Sequence, residues 1–228
     1  MYKAVISDLD GTLLSRGHHV TKFTKNVIKK IIKNGINFYI ASGRSYDQIG
    51  YVTEQLEVKI PIIAANGARI FDEDGNMIYE KGLSSKAAKA ILGLDYENIA
   101  EGSHLNIFSG NDWIITKGTA QKVYDRISRD VKVDFKEVPK DELENLDILK
   151  IFYIGDHEQL TNLEKAILKI TDDVNVIFVS DYCMEIMAKG ANKGAAAKFL
   201  LEREGLELKD AVAFGDGEND FEMLTMVG

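Results

Sequence analysis

An alternation of strands and helices near the front of the chain is the feature that most constrains its fold. Residues 4–7 form an apolar run of strand type, and apolar side chains recur at helical spacing from residue 21 to the glycine at 35. A strand over 36–41, a helix over 46–56 and a strand over 60–65 are predicted next. Strand–helix–strand units fold as parallel strands joined by crossover helices. The pattern predicts an α/β fold with a doubly wound parallel sheet.

The middle of the chain has a different pattern. A hairpin is predicted around Asp74-Gly75, because strand-like residues flank this turn-forming pair on both sides. Beyond it we predict helices and paired strands, namely helices over 84–94, 119–130 and 157–170 and strands over 105–109, 113–116, 131–137, 148–154 and 174–179. Such a mixture indicates an α+β unit. At roughly 100 residues it is long enough to fold around a core of its own.

The opening alternation returns near the end of the chain. We predict a strand over 182–187, a glycine-rich turn over 190–194, a helix over 193–203 and a buried strand over 211–214. The simplest architecture is a discontinuous Rossmann-like core formed by residues 1–82 and 187–228. Residues 83–186 form an α+β domain inserted into it.

Composition excludes several classes of function. The chain has 228 residues and a formal net charge of −8, whereas nucleic acids and anionic membranes bind basic surfaces. Cys183 is the one cysteine, which rules out an internal disulfide and fits a reducing compartment. The start lacks the apolar core of a signal peptide, and no apolar run has membrane-spanning length. We therefore predict a cytoplasmic protein without a nucleic-acid or membrane partner.

Polar side chains follow three of the predicted parallel strands. Asp8 and Asp10 come after the first strand, Ser42 after the second, and the acidic loop 216–220 after the last. Ligands of open parallel sheets bind beyond the carboxyl ends of the strands. These groups are therefore expected to meet at one rim, and Asp8 and Asp10 to face the same side unless the chain has already begun to turn.

Such a rim is suited to a hard cation and a phosphoryl group. The carboxylates of Asp8 and Asp216, with a backbone carbonyl and water, are the oxygen ligands that Mg²⁺ prefers. The four histidines are isolated or lie in a polar loop, and Cys183 is predicted to be a core residue. The glycine-rich segment 190–194 lacks the spacing of a phosphate-binding P-loop, which argues against a nucleoside triphosphatase.

An anionic substrate beside these carboxylates needs compensating charge, since two like charges ~4 Å apart repel by about 4 kcal/mol at an intermediate dielectric. Mg²⁺ and Lys193, at the start of a predicted helix, could supply it. The Ser42 hydroxyl, the Gly43 amide and the Asn219 side chain could donate hydrogen bonds. From the residues themselves, Lys193 could equally be a solvated helix residue. Arg44 could likewise be a surface salt-bridge partner.

Four ordered motifs resemble those of the haloacid dehalogenase superfamily. They are Asp8-Leu9-Asp10-Gly11-Thr12, Ser42-Gly43-Arg44, Lys193-Gly194 and Gly215-Asp216-Gly217-Glu218-Asn219-Asp220. The insertion after Asn66-Gly67-Ala68 resembles the cap of the Cof-type (subclass IIB) phosphatases, most of which act on sugar phosphates. The resemblance runs over the whole chain and is weakest through the cap.

The resemblance implies a role for each motif position. Asp8 would be the nucleophile that forms an aspartyl-phosphate, and Asp10 the acid and base that protonates the leaving oxygen and then activates water. Asp8, Asp216 and the Asp10 carbonyl would hold Mg²⁺, with support from Asp220. The implied phosphate-binding residues are Leu9, Ser42, Gly43, Arg44, Lys193 and Asn219. A closing cap would exclude water and read the leaving group, with the segment 104–106 and Trp113 as candidate contacts or as hairpin packing.

The predicted function is Mg²⁺-dependent hydrolysis of a small phosphorylated metabolite, first of all a sugar or polyol phosphate. Two alternatives are phosphotransfer or mutase chemistry on sugar phosphates, and a catalytically impaired protein that binds a phosphometabolite. Members of this family usually continue into another strand and helix beyond the position of Gly228. Either the sequence is incomplete or the protein is truncated. Without these elements strand 211–214 is expected at an open sheet edge, and in a truncated protein stability and activity are both in question. The sequence predicts no oligomeric state.

Overall fold

A computed structural model of the chain describes residues 1–120 and 135–228. These residues form two compact units, one made of Met1–Glu80 and Ala191–Gly228 and the other of Lys81–Gly190. The boundaries predicted from the sequence lie a few residues away from these.

The regular elements follow the sequence pattern closely. The described strands are β1 (Ala4–Ser7), β2 (Asn37–Ala41), β3 (Ile62–Ala64), β4 (Arg69–Phe71), β5 (Met77–Glu80), β6 (His104–Ser109), β7 (Asp112–Thr116), β8 (Phe135–Val138), β9 (Ile148–Ile154), β10 (Val174–Ser180), β11 (Cys183–Ala188) and β12 (Ala211–Phe214). The described α-helices are α1 (Lys22–Lys33), α2 (Tyr46–Leu56), α3 (Ser85–Leu92), α4 (Tyr96–Ile99), α5 (His157–Ile170), α6 (Lys193–Arg203) and α7 (Phe221–Met226).

The first unit is built on one sheet with the strand order β12-β1-β2-β3-β4-β5. Strands β12, β1, β2 and β3 are parallel, and β4 and β5 add an antiparallel hairpin. Both ends of the chain meet in this sheet, since Ala4 lies beside Ala211 on one side and Asn37 on the other. The predicted α/β fold is confirmed. As expected, β12 lies at an edge of the described sheet.

Helices cover both faces of this sheet because neighbouring residues of each strand point to opposite sides. Phe38 and Ile40 pack with Ile28 of α1 and with the buried residues of α2. Tyr39 and Ala41 pack on the other face with α6 and α7. The near-continuous apolar runs of the parallel strands are explained by this burial on two sides.

The second unit contains a separate six-stranded sheet with the order β10-β11-β9-β6-β7-β8. Its strand pairs are antiparallel except for β7 and β8. The predicted α+β character is therefore seen here, with buried residues of α3, α4 and α5 packed against residues such as Ile107 and Ile151. Asn106, Lys150 and Glu185 lie on the opposite face of the sheet.

Three details of the second unit differ from the predictions or lie beyond them. Strand β11 pairs with β9 and β10 in the sheet of the second unit. The alternation of strands and helices that builds the first unit therefore resumes only after β11. Helix α4 was not predicted, because four residues are too few to show a periodicity. Residues 121–130 of the helix predicted over 119–130, and residues 131–134 of the strand predicted over 131–137, lie outside the described residues. Among the described helices, none is long and apolar enough to span a bilayer.

Candidate active site

The chain turns sharply as it leaves β1, and this turn separates Asp8 from Asp10. The Asp8 amide donates to the Phe214 carbonyl (2.9 Å), which continues the pairing with β12. A helical turn over Leu9–Leu13 follows, in which Gly11 has φ +79°. A side chain at Gly11 would come within 2.1 Å of Asp216 Oδ2, so glycine is required both for the turn and for the acidic loop beside it. Asp8 and Asp10 were expected to face the same side unless the chain had already begun to turn, and the structure shows that it has.

Asp8 is buried at the end of β1 and is bound by a lysine from the other end of the chain. The Lys193 side chain is completely buried, and its Nζ donates to Asp8 Oδ1 and to Asp220 Oδ1, both at 2.7 Å. Burial raises the pKa of Asp8, while the ammonium of Lys193 acts in the opposite direction and favours the carboxylate. The interpretation of Lys193 as a solvated helix residue is therefore wrong.

Lys193 reaches this position because α6 begins at it. The Asn192 side chain caps the helix by accepting from the Ala195 amide at 2.7 Å. The first turn of α6 packs closely against a neighbouring turn, since a side chain on Gly67 would come within 2.2 Å of the Asn192 carbonyl oxygen. A helix amino terminus also favours anions, which suits the placement of Asp8 opposite it.

The loop after β12 completes an acidic cluster. Asp220 Oδ2 accepts from the amides of Asp216 and Gly217 at 3.1 and 3.0 Å, which closes the loop on itself. Thr12 donates to Asp216 Oδ1 at 3.0 Å and links the loop to the turn after β1. Oxygens of Asp8, Asp216 and Asp220 all lie within 4.8 Å of one another, and Asp216 is exposed to solvent. Three hard carboxylate ligands this close together fit a divalent cation.

The motif after β2 contributes polar groups to the same rim. Ser42 is buried, and its amide donates to the Ile63 carbonyl of β3 at 2.8 Å. Asn219 Nδ2 donates to Asn66 Oδ1 at 2.9 Å, and a side chain on Gly43 would come within 3.0 Å of the same oxygen. The structure thus brings Ser42, Gly43 and Asn219 together around Asn66.

Asn66 is a residue of this rim that the sequence reasoning missed. It is buried and has φ +53°, in the left-handed region where asparagine is tolerated better than most residues. The signal was present, because Asn66-Gly67 follows the third strand directly.

Arg44 contacts Asp10. Its Nε donates to Asp10 Oδ2 at 2.8 Å and its Nη2 to Asp10 Oδ1 at 2.5 Å, a two-point pair that also raises the pKa of the guanidinium. Its Nη1 donates to the Tyr51 hydroxyl at 2.9 Å. The interpretation of Arg44 as a salt-bridge partner therefore holds, and its partner Asp10 is a predicted catalytic residue. The predicted contact of Arg44 with phosphate stays a prediction, and Tyr51 was not singled out by any sequence signal.

Candidate residues in the second unit pack within that unit. Trp113 Nε1 donates to Asn106 Oδ1 at 3.0 Å, and its ring packs edge-on against Phe135 and Phe152. A hairpin-packing role of Trp113 is thus observed, and contact with a substrate stays a prediction. Burial raises the pKa of the Cys183 thiol to about 12, which disfavours a thiolate nucleophile.

Comparison with known proteins agrees with this geometry. The family model described as haloacid dehalogenase-like hydrolase matches residues 5–228. A protein of Buchnera aphidicola subsp. Baizongia pistaciae, provisionally named a phosphatase, is 36% identical over 236 residues, with 100% of this chain and 85% of that protein covered. The HMP-PP phosphatase of Escherichia coli K12 is 28% identical over 229 residues, with 100% and 82% covered.

A solved structure shows the same fold. The structure of a sugar phosphatase of haloacid dehalogenase subclass IIB superposes with a TM-score of 0.81 at 22% identity, covering 99% of this chain and 85% of that one.

Proposed function

The chain is a phosphatase of the haloacid dehalogenase-like hydrolase family, and on this premise we propose that it hydrolyses a small phosphate monoester through an aspartyl-phosphate on Asp8. The observation that carries the proposal is the position of Asp8. It is a buried carboxylate at the end of β1, which has a neighbouring strand on each side, and the fully buried Lys193 ammonium binds one of its oxygens. A backbone hydrogen bond from Leu9 also favours the charged form of this carboxylate, and an ionised carboxylate is what a nucleophile requires.

The proposed reaction has two displacements at phosphorus. An Asp8 oxygen attacks, the bond to the ester oxygen breaks, and Asp10 gives its proton to that leaving oxygen. Water then attacks the phosphoryl group, Asp10 takes a proton from the water, and the bond to Asp8 breaks to release inorganic phosphate. Splitting the reaction in this way suits phosphate monoesters, whose uncatalysed hydrolysis is extremely slow. Asp10 is partly exposed, so its side chain can reach a bound ester.

The residues around Asp8 supply charge and hydrogen bonds. We propose that Asp8, Asp216 and Asp220 hold Mg²⁺ together with the Asp10 carbonyl. When bound, Mg²⁺ would offset the charge of the carboxylates and of the phosphoryl oxygens. The amides of Leu9 and Gly43, the Ser42 hydroxyl, the Lys193 ammonium and the Asn219 amide would donate to those oxygens.

The substrate is proposed only as a class. We propose a small phosphorylated metabolite, and first a sugar or polyol phosphate, because the motifs resemble those of Cof-type phosphatases. Since relatives 28–29% identical are named HMP-PP phosphatases, HMP-PP belongs in the same substrate screen. A cytoplasmic location stays a prediction.

Substitution of the proposed nucleophile tests the function. Asp8→Asn keeps the shape of the side chain and removes its charge, so hydrolysis of any ester in the presence of Mg²⁺ should fall by at least about 10³-fold. Steady-state release of phosphate measures this loss, and a preserved circular dichroism spectrum shows that the variant folds. Near-normal turnover of Asp8→Asn would rule out the nucleophile assignment.

Asp74→Asn is the matched control. Asp74 lies in the turn after β4, which runs antiparallel to β3, so this turn lies at the end of the sheet away from Asp8. Asp74→Asn removes the same charge and should leave the turnover unchanged.

A further inference from the structure

We propose that Arg44, held by Tyr51, positions the carboxyl group of Asp10, in its protonated form, for proton transfer to the leaving oxygen. This inference rests on the proposed function, because it assigns a role in the first displacement. It gives Arg44 a task that differs from direct phosphate binding. In this role Arg44 is a positioning residue that acts through Asp10.

Asp10 needs a partner to have a defined orientation. Whereas Asp8 is fixed by burial, the Asp10 side chain is 44% exposed. It precedes Gly11, at a point where the chain is already in the turn after β1. Among the described residues, its side-chain contacts within ion-pair distance are Arg44 and, at 3.7 Å, the ring of His18.

The Arg44 guanidinium sets both the position and the plane of that carboxylate. Two of its N–H groups reach the two oxygens of Asp10, at 2.8 and 2.5 Å. A planar two-point pair of this kind restricts rotation about the terminal bond of the carboxylate, which one hydrogen bond or a lysine ammonium would not do. An acid that must place its proton on one oxygen atom benefits from such restriction.

Arg44 is itself held from two directions. Its amide donates to the Ser42 hydroxyl at 3.2 Å and its carbonyl accepts from the Ala65 amide at 2.8 Å, so the backbone is fixed by neighbouring strand ends. At the far end of the side chain, Nη1 donates to the Tyr51 hydroxyl at 2.9 Å, and the guanidinium carbon lies 5.7 Å from the centre of the Tyr51 ring. Tyr51 thus fixes Arg44 through a hydroxyl that makes no described contact with Asp8, Lys193 or the acidic loop.

The leaving group distinguishes a positioning role from the other roles of Arg44. An alkyl phosphate has a poor leaving group that requires a proton, whereas an aryl phosphate with an electron-withdrawing nitro group leaves readily without one. The ratio of kcat/KM for glycerol phosphate to kcat/KM for p-nitrophenyl phosphate therefore reports how well Asp10 delivers its proton. This quantity covers the steps up to phosphorylation of Asp8, so the later attack of water does not enter it.

Arg44→Lys should lower kcat/KM for glycerol phosphate by about 10² and for p-nitrophenyl phosphate by less than about 3-fold, since general acids contribute ~10²–10⁴. Tyr51→Phe should change the ratio in the same direction by about 3-fold. Tyr46→Phe is the matched control, because this residue lies on the same helix, stacks on Phe71 and makes no described hydrogen bond or ring contact with Arg44. Its ratio should equal that of the wild type.

Other outcomes overturn the inference in recognisable ways. An equal loss for both esters with a raised KM assigns Arg44 to phosphate binding, and an equal loss with a lowered melting temperature assigns it to structure alone. If Asp8→Asn abolishes both activities while Arg44→Lys leaves the ratio unchanged, the inference fails and the proposed function stands. If Asp8→Asn stays active, the proposed function itself fails.

Discussion

Each unit of the protein buries a lysine, and the two lysines meet different numbers of carboxylates. In the first unit, Lys193 donates to Asp8 and Asp220, and Asp216 lies close to both. In the second unit, Lys150 donates to Glu185, and its Nζ lies 5.1 and 5.5 Å from the ring centres of Phe108 and Phe152. Among the described contacts, two carboxylates share one ammonium at the first site with a third carboxylate beside them, and one carboxylate faces one ammonium at the second.

The number of carboxylates around each buried lysine distinguishes a functional charge cluster from a structural ion pair. A buried pair of opposite charges that is packed by apolar groups needs no further ligand. Two buried carboxylates that share one ammonium, with a third carboxylate beside them, are costly unless a further cation joins them, because like charges a few Å apart repel strongly in the protein interior. The cluster at Asp8 therefore calls for a metal ion, whereas the pair at Lys150 does not.

The two arrangements follow from the two kinds of sheet. Parallel strands all end at one edge, so the polar residues after β1, β2 and β12 collect at a single rim. In the antiparallel sheet, polar residues instead meet across neighbouring strands. Lys150 is paired with Met187, and Glu185 lies two residues before Met187 on the same face. Polar groups are thereby concentrated at one rim of the first unit and form a local pair in the second.

Replacing each buried lysine separately should give the largest difference between the two sites. Lys193→Met should lower phosphatase activity by at least about 10³-fold, because both the partner of Asp8 and a proposed phosphate contact are lost. Both Lys193→Met and Lys150→Met should lower the free energy of unfolding by about 3–5 kcal/mol, since each removes one partner of a buried pair. Urea denaturation and phosphate release measure the two effects. Equal loss of activity in the two variants would contradict the distinction.

Divalent cations should affect only the first site. Mg²⁺ at 100 times its dissociation constant should raise the free energy of unfolding by about 2.7 kcal/mol. Lys150→Met should keep this increment in full, and Asp216→Asn should reduce it, because one of the three carboxylates is removed. Thermal melts over a series of MgCl₂ concentrations show the increment. If Asp216→Asn retains the increment in full, the cation binds elsewhere.

Helix capping tests how Lys193 is placed. Asn192→Ala removes the cap of α6, and Thr21→Ala removes the cap of α1, where Thr21 accepts from the Thr24 amide at 3.0 Å. Each change should cost about 1 kcal/mol of stability. Asn192→Ala should also lower the turnover several-fold, because α6 presents Lys193 to Asp8, while Thr21→Ala should leave turnover unchanged. Identical kinetics in the two variants would show that the cap does not position Lys193.

An exposed cluster in which two lysines surround one carboxylate should show the smallest effect on stability. Glu57 accepts from Lys25 and Lys29, and hydrogen bonds from these two lysines lower its pKa to about 2. A lowered pKa adds stability above the unfolded-state pKa, and this contribution is lost as the pH falls through about 2. Glu57→Gln should therefore be slightly less stable than the wild type at neutral pH. Acid titrations of both proteins followed by circular dichroism should show this small difference vanish near pH 2 and weaken in high salt.

Much of the fold could be predicted because its signals are local. The spacing of apolar residues predicted α1 and α2 nearly to the residue, and turn-forming pairs such as Asp74-Gly75 marked the hairpins. That Asp8, Ser42 and Asp216 follow successive parallel strands was also readable from the sequence. The sheet to which β11 belongs was not, because an apolar run of six residues does not indicate which strands it will pair with.

The sequence by itself determined the two architectures and the rim at which the carboxylates collect, because the periodicity of each element and the order of the elements along the chain can be read from local stretches. Only the tertiary structure decided which charges meet there. Lys193 binds Asp8 across 185 residues, and Arg44 binds Asp10 across 34. Such pairings depend on the packing of α6 and the turn after β1, and no short stretch of sequence contains that information. For this reason Lys193 could still be interpreted as a surface residue from the sequence, and no sequence signal marked Tyr51.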